Sequence, residues 1–290
     1  MYRIALVQDL PMPDDTRDAF AVAAGDAPSS FAHIDELLAA SEAPLVWLHT
    51  RTGWHAEYAI KALQAGRDVV CNAPLCLTSS AAWQILETAK YTGRKLLVIN
   101  HCSRFWRQAA RELGTLRSVH AWARTTNIPG GNRFPDGGHL YGLFYPLAEA
   151  LTTVLGPIES VSGNLERSAD ADALELSGHA QFALESGGTA FLDWTVGAQA
   201  EANHSGFSVT LEGEHGSLVV RGIFEQDKLK VTSVEPTGIA MNDPGLSKCL
   251  ADRLPSVLDG AADGRLDAFR ALRVVEFIDR IYTRLQASEA

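Results

Sequence analysis

Two histidines and two arginines carry side chains that could do chemistry in this sequence. His139 and His101 could accept a proton, because histidine titrates close to neutral pH. Arg104 and Arg124 could bind a carboxylate or a phosphate, because a guanidinium donates two parallel hydrogen bonds to such anions. Each residue also has a structural interpretation, as a solvated loop histidine or as an arginine paired with an acid at the rim of a cleft. Which of the two interpretations holds for each residue, the chemical or the structural one, depends on the helices and strands that position it.

Two tyrosines, Tyr141 and Tyr145, follow His139 closely and are further candidates. Their rings could line a pocket for a sugar-like ligand, or they could fill space in the core. The remaining histidines lack the spacing of metal ligands, so the sequence predicts no metal site. The four cysteines include no Cys-x-x-Cys pair, which is typical of reduced cytosolic thiols that pack as small apolar residues.

The overall composition excludes several classes of protein. The chain has 290 residues, of which 46% are hydrophobic and 21% charged, and its formal net charge is −10. Because no basic run is present, binding to nucleic acid or to anionic membranes is not expected. No apolar stretch approaches the roughly 20 residues of a membrane-spanning helix, and the N-terminus lacks the pattern of a secretory signal. We therefore expect a cytoplasmic globular protein of α/β and α+β class.

The first part of the chain alternates short apolar runs with helical patterns. Helices are predicted over Trp54–Ala65 and from Thr78 or Ser79 to Thr92, with Gly66 and Gly93 as their ends. The predicted strands are Arg3–Val7, Leu45–His49, Asp68–Cys71 and Lys95–Ile99. This alternation is typical of a parallel sheet with helices on its faces, so we predict such a domain over residues 1–116.

The second part of the chain has a different pattern, with short alternating runs joined by turn residues. It predicts a domain with an open, mostly antiparallel sheet over residues 117–290. Helices are predicted near Leu143–Leu155 and over residues 265–286, the latter packing back on the first domain. The predicted strands are Val119–Arg124, Ser160–Leu165, Leu174–Leu184, Thr189–Val196, Phe207–Gly213, Ser217–Val220 and Lys228–Ser233.

One pair of segments resembles a known family. Residues 49–57 read HTRTGWHAE and residues 62–71 read ALQAGRDVVC. This pattern resembles the glucose–fructose oxidoreductase, inositol dehydrogenase and rhizopine-catabolism (Gfo/Idh/MocA) family, with further matches at Ile34–Leu38, Arg104–Phe105 and Leu155–Ile158. The resemblance implies a Rossmann-like domain followed by an open antiparallel sheet that often packs against a second subunit. It also implies NAD(P)-dependent oxidation of sugars or polyols.

The turn after the first predicted strand departs from the family pattern. A dinucleotide site needs glycines there, so that the backbone can approach the pyrophosphate. Here the turn contains Asp9, Pro11 and Pro13, and no glycine precedes Gly25. The family has a helix, a strand and another helix where this chain has only Asp9–His33, which leaves a truncated Rossmann-like domain. No cofactor-binding residues are therefore expected.

Should a nucleotide still bind, the sequence offers three fallback residues, Thr50, His55 and Asn72. His55 also has a structural interpretation, in which it caps or packs against the start of its helix.

The family's catalytic positions have also changed. Oxidation of an alcohol needs a base for the hydroxyl proton, and the resemblance assigns that role to a lysine in Glu-Lys-Pro. This chain has Ala73 at that position, between Asn72 and Pro74. Gly142 and Pro146 stand where the family has an aspartate and a histidine. No catalytic residues are therefore expected, with His139 and His101 as fallback bases.

These departures predict a pseudoenzyme without a nicotinamide cofactor. We expect it to bind a small sugar-like or anionic ligand, or to pair through its antiparallel sheet with a second copy or an active relative. The alternatives are an NAD- or NADP-dependent sugar or polyol oxidoreductase with an altered cofactor loop, and a cofactor-free enzyme that reuses the cleft.

Overall fold

A computed structural model describes most of the chain, and it divides into two units. The first comprises Met1–His101 with Pro244–Glu276, and the second comprises Cys102–Asp243 with Phe277–Ala290. The described residues are 3–10, 29–100, 104–126, 137–167, 174–197, 205–225, 228–236 and 267–287.

The first unit contains a five-stranded parallel sheet. Its strand order is β2-β1-β3-β4-β5. The strands are β1 (Ile4–Gln8), β2 (Ser29–Phe31), β3 (Leu45–His49), β4 (Asp68–Asn72) and β5 (Leu96–Ile99). Three helices follow strands β2, β3 and β4: α1 (Ile34–Ala40), α2 (Thr52–Gln64) and α3 (Ser79–Thr92). The predicted parallel sheet is confirmed.

Burial and capping explain why these residues form these elements. Strands β1 and β3 are buried along almost their whole length, as expected for a parallel sheet covered on both faces. At the start of α3 the Thr78 hydroxyl accepts a hydrogen bond from the Ala81 amide, which satisfies one of the unpaired N–H groups of the first turn. The helix ends at Gly93, whose φ of 66° is easily adopted only by glycine.

The neighbour of β1 on its outer side is β2. Leu6 of β1 pairs with Ser30 of β2, and on the other side Leu6 pairs with Trp47 of β3. Strand β2 is followed after two residues by α1, which contains the Leu37-Leu38 pair of the family resemblance. Both sides of β1 are thus occupied, and no further strand can lie between β1 and the strand that precedes α1.

The second unit contains a seven-stranded sheet of order β12-β11-β10-β6-β9-β8-β7. Its strands are β6 (Leu116–Thr125), β7 (Ile158–Arg167), β8 (Glu175–Leu184), β9 (Thr189–Val196), β10 (Gly206–Gly213), β11 (Gly216–Glu225) and β12 (Lys228–Glu235). All neighbouring pairs are antiparallel except β6 and β9, which are parallel. The prediction of a mostly antiparallel sheet is confirmed.

Three further helices complete the described chain. They are α4 (Arg104–Leu113), α5 (Tyr145–Val154) and α6 (Ala268–Ala287). The sequence pattern had predicted α5 and α6 but no element at α4. Yet the spacing of Phe105, Ala109 and Leu113, all buried, is that of one helix face.

Two further findings concern the helices and the cysteines of the described residues. None of the helices within the described ranges is both long and apolar enough to span a membrane. Cys71 and Cys76 are buried free thiols, as predicted, and burial raises the pKa of the Cys71 thiol well above its usual range.

Candidate functional site

The carboxyl edge of the parallel sheet is the first candidate site. Chain order reverses between β1 and β3, and parallel sheets bind ligands at such a switch point. Asp9 follows β1 and Arg51 follows β3. The Asp9 carboxylate accepts a hydrogen bond of 2.9 Å from the Arg51 backbone amide, and its other oxygen lies 3.7 Å from the guanidinium Nε. The two strand ends are therefore tied together by a carboxylate at the switch point.

A chain of hydrogen bonds runs along the next two strand ends. The buried Trp47 indole donates to the Asn72 side-chain oxygen at 2.8 Å. That bond orients the amide, so its nitrogen faces Nδ1 of His49 at 2.7 Å. Because the amide nitrogen can only donate, His49 Nδ1 must accept, and the His49 proton lies on Nε2. The Asn72 amide and the His49 ring thus have fixed orientations at these strand ends.

His55 joins the two loops of this edge. Its Nε2 lies 2.8 Å from the Thr50 carbonyl oxygen, and its Nδ1 lies 2.7 Å from the Pro74 carbonyl oxygen. The ring is almost completely buried and Thr50 is buried as well. Ala73, at the position of the family's lysine, precedes a cis peptide bond to Pro74. The contacts of His55 are those of a residue that positions the loops.

The second unit contains a buried polar cluster around the turn that precedes α5. Glu175, the first residue of β8, accepts hydrogen bonds from the His139 backbone amide at 2.8 Å and the Tyr282 hydroxyl at 2.5 Å. The same hydroxyl accepts from the Leu140 amide at 3.1 Å. Gly138 has a φ of 113°, and a Cβ there would overlap the Tyr282 hydroxyl. The turn is thus held in place by one carboxylate and one phenol.

Burial controls protonation in this cluster. It lowers the pKa of His139, whose side chain has no solvent exposure, although the charge of Glu175 acts in the opposite direction. Burial also raises the pKa of Tyr282 well above its usual range, and the nearby Glu175 charge adds to this effect. His139 is therefore favoured as a neutral core side chain.

The other predicted residues of the second unit are dispersed. Tyr141 and Tyr145 are buried, and Tyr141 stacks on Tyr282 at 6.0 Å between ring centroids. Arg124 is exposed on the seven-stranded sheet and lies 5.4 Å from the centre of the Trp122 ring. Pro146 is buried in the first turn of α5.

For three further predicted residues, Gly142, His101 and Arg104, the structure describes only the backbone or nothing. Gly142 lies in the turn before α5, where its amide donates to the Gly138 carbonyl at 3.2 Å. His101 and the side chain of Arg104 lie outside the described residues.

Sequence reasoning missed several polar residues that the fold brings together. Glu175 and Tyr282 are 107 positions apart, and nothing in the sequence pairs them. Glu149 is completely buried in α5 among apolar neighbours, and an acid in such a helix was a visible signal. No group of three or more His, Cys, Asp or Glu side chains in the described ranges is arranged to hold a metal ion.

Comparison with known proteins finds similarity to one family over the first third of the chain. Residues 9–101 match the model of the Gfo/Idh/MocA oxidoreductase family, described as an NAD-binding Rossmann fold. This part of the chain is therefore similar to the Gfo/Idh/MocA family. An uncharacterized oxidoreductase, ORF334 of Rhizobium meliloti, is 29% identical over 133 residues, which are 42% of this chain. Inositol 2-dehydrogenase of Cereibacter sphaeroides is 30% identical over 139 residues, 43% of this chain. These matches span 40% of the length of each relative.

Solved structures of the Gfo/Idh/MocA type share the fold over nearly the full chain. The WlbA dehydrogenase from Bordetella pertussis, solved in complex with NADH and UDP-GlcNAcA, aligns with a TM-score of 0.79. It is 18% identical, and the alignment covers 99% of this chain and 97% of that one. Biliverdin reductase from Synechocystis aligns with a TM-score of 0.74 at 16% identity, covering 98% of this chain and 99% of that one. At 16–18% identity, these similarities show a shared fold only.

Within residues 3–10 and 29–100, the part of it that the structure describes, the carboxyl edge does not fit the dinucleotide that the resemblance implies. A pyrophosphate needs N–H donors at the switch point, but there the Arg51 amide already donates to Asp9, whose negative charge opposes a phosphate. The strand beside β1 normally ends near an acid that binds the ribose, whereas β2 is followed by Ala32 and His33. The nearest acid of α1, Asp35, is bonded to Lys61 at 3.0 Å.

Proposed function

We propose that this chain is a non-dehydrogenase member of the Gfo/Idh/MocA family that acts as a binding subunit. It keeps both sheets of the family fold, and among its described residues Ala73 replaces the lysine that the resemblance assigns as the base. The observation that carries the proposal is the Asp9 carboxylate, which is bonded to the Arg51 amide at the switch point. At the switch point, the phosphates of a dinucleotide would need N–H donors, whereas this chain has the carboxylate of Asp9 there.

Among the described residues, the candidate positions for a proton acceptor support the same conclusion. Ala73 has no titratable group, and its neighbour Asn72 is committed to Trp47 and His49. His139, the fallback base in the second unit, is completely buried. A general base must come within hydrogen-bond reach of the proton it accepts, and a buried ring does not meet this condition.

The partner surface in this proposal is one face of the seven-stranded sheet. Phe191 of β9 lies on this face, stacked on His120 at 4.7 Å and near His179 at 6.2 Å between ring centroids. His179 is bonded to Asp193 at 2.7 Å. Part-exposed aromatic rings among polar groups are typical of protein interfaces. We propose that a second copy of this chain or an active relative covers this face.

The proposal is tested first by nucleotide binding. Calorimetric titration with NADH and with NADPH is expected to give no binding in the micromolar range, in the wild type and in Ala73→Lys. The lysine variant restores the family's base, and it is expected to gain no dehydrogenase activity because the cofactor site is missing. Micromolar binding of either nucleotide to the wild type would overturn the proposal.

The partner surface is tested by light scattering after gel filtration. We expect the wild type to be an oligomer and Phe191→Asp to be a monomer with unchanged circular dichroism. Tyr91→Asp is the matched control, because Tyr91 is 93% exposed and belongs to α3, which is not an element of the sheet. A monomeric wild type that also fails to bind an active relative would exclude the sheet as a partner surface.

One observation favours a second candidate, an NAD(P)-dependent oxidoreductase with an altered cofactor loop. The match to the family's NAD-binding model extends over residues 9–101, which includes the switch point. The same titration separates the two candidates. Turnover of a sugar or polyol with NAD or NADP, at rates well above background, would support the oxidoreductase.

A further inference from the structure

An aromatic pair lies at the start of α2, directly after the loop that contains Arg51. Trp54 and Tyr58 stack with ring centroids 5.8 Å apart and an interplanar angle of 17°. Tyr58 is buried, and its hydroxyl lies 3.2 Å from Nδ1 of His33. Trp54 is 47% exposed. Tyr58 thus supports one face of the Trp54 ring, and the other side of that ring is open to solvent.

The charges around this aromatic pair are predominantly negative. Burial raises the pKa of the Tyr58 hydroxyl, and three nearby carboxylates raise this pKa further, those of Glu57, Asp9 and Asp35. The charge of Lys61 acts in the opposite direction. The carboxylates outweigh this ammonium, so the electrostatic potential at the rings favours a positive charge.

The two basic side chains of this corner are already paired with acids. Lys61 is bonded to Asp35 at 3.0 Å and to Glu57 at 2.9 Å. The Arg51 guanidinium lies 3.7 Å from Asp9, whose side chain keeps 27% exposure. Three acids and two bases give this group a formal net charge of −1. The pairing reduces the negative charge of the corner without cancelling it.

The exposed face of Trp54 is suited to a cation. The face of an indole ring carries the negative part of its quadrupole and attracts a cation more strongly than other side-chain rings do. Within the described ranges, the cation that lies over a tryptophan is Arg124, on Trp122 of the seven-stranded sheet. No arginine or lysine of the described residues therefore covers Trp54, whereas an anion there would be repelled by the nearby carboxylates.

We propose that the corner formed by Trp54, Asp9 and Glu57 binds a small organic cation with a quaternary ammonium group. The methyl groups of such a cation spread its charge over an apolar surface that packs on an aromatic face. They carry no N–H group, so the cation needs no hydrogen-bond acceptor. This suits carboxylates that already accept from Arg51 and Lys61. The inference rests on the proposed function, because a dinucleotide would need the same edge.

The test is saturation-transfer NMR on the full chain with choline as the probe. Its trimethylammonium protons are expected to show saturation. The matched probe is the neutral isostere of choline, in which a tert-butyl group replaces the trimethylammonium group. Because the isostere has the same shape without the charge, it is expected to bind about tenfold more weakly.

Two substitutions separate the ring from the charge. Trp54→Ala is expected to weaken choline binding by about tenfold, because the aromatic face is lost, and Trp54→Phe is expected to retain part of the binding. Asp9→Asn keeps an oxygen that can accept from the Arg51 amide but removes the negative charge. It is expected to weaken choline binding by about threefold and to leave binding of the isostere unchanged.

Trp83→Ala is the matched control for the loss of an exposed tryptophan near an acid. Trp83 is also 47% exposed, lies on α3, and donates to the Glu276 carboxylate at 3.0 Å. Its removal is expected to leave choline binding unchanged. Circular dichroism of all variants verifies that they are folded.

Three results would overturn the inference. The first is the absence of saturation transfer to choline from the wild type at the highest soluble concentration. The second is equal affinity for choline and its neutral isostere, and the third is equal choline binding by the wild type and Trp54→Ala. The NADH titration is read separately. Nucleotide binding would refute the proposed function, whereas failure of choline without nucleotide binding would refute only the cation site.

Discussion

The two polar clusters of this molecule differ in their access to water. At the edge of the parallel sheet, Asp9 and Asn72 form hydrogen bonds while part of each of these two side chains stays exposed. In the second unit, Glu175 and Tyr282 form bonds of similar length inside the core. A buried donor or acceptor without a partner costs more than an exposed one, because water cannot replace the lost bond. The first cluster is therefore suited to exchange partners with a ligand, and the second to hold a turn.

The largest effect is expected from Gly138→Ala. The new Cβ would overlap the Tyr282 hydroxyl at a φ of 113°, so strain and overpacking together should destabilise the protein by about 3 kcal/mol or more. Gly66→Ala is the control, since its φ is 75° and nothing lies within 4 Å of the added carbon; it should cost about 1 kcal/mol. Urea unfolding measures both. Equal costs would show that the turn is not packed as described.

Tyr282→Phe should have the next largest effect. It removes the donor to Glu175 and the acceptor of the Leu140 amide, which should lower the free energy of unfolding by about 2 kcal/mol. Tyr91→Phe, at an exposed position, should change it by less than about 0.5 kcal/mol. A Tyr282 variant as stable as this control would contradict a structural role for the buried cluster.

Asn72→Ala tests the same number of bonds at the exposed edge. It removes the contacts to Trp47 and His49. Trp47 is buried, but Asn72 is partly exposed and water can enter at its position, so the expected loss is about 1 kcal/mol, at the low end for a donor left unpaired. A double-mutant cycle with Trp47→Phe isolates the Trp47–Asn72 bond. A loss as large as that of Tyr282→Phe would remove the distinction between the clusters.

The smallest effect is expected from the pH dependence of stability. Because burial lowers the pKa of His139 in the folded state, the unfolded chain binds a proton more readily below its ordinary pKa of about 6.5. The His139 contribution should therefore be complete above that pH and should be lost as the pH falls below it. His139→Gln should flatten the stability profile between pH 7 and pH 5, as measured by urea unfolding. An unchanged profile would indicate that His139 is readily protonated in the folded protein.

Local patterns predicted most elements of the fold. The Thr78 cap, the Gly93 end and the strand Thr189–Val196 agree with the structure, because each depends on neighbours in the sequence. The parallel pairing of β6 with β9 inside an otherwise antiparallel sheet depends on chain topology. No local sequence pattern predicts this parallel pairing.

The candidate site was less predictable. Ala73 and Asp9 were recognised because the family resemblance gave each position an expected residue. The two hydrogen bonds that link Trp47, Asn72 and His49 depend on the register of β3 against β4. This register pairs Trp47 with Val70. The Glu175–Tyr282 bond joins a strand to a distant helix. Such contacts form only when the tertiary structure brings remote segments together.

The direct pairing of β2 with β1 has a consequence for protein engineering. Point substitutions can return a lysine at Ala73 or a glycine near Asp9, but they cannot create room beside a strand whose two flanks are already hydrogen-bonded. Adding, next to β1, the further strand that the family resemblance implies would require inserting a strand–helix module and displacing β2 outward by one place. Within the described residues, the parallel sheet thus differs from the pattern that the resemblance implies in its strand order as well as in its side chains.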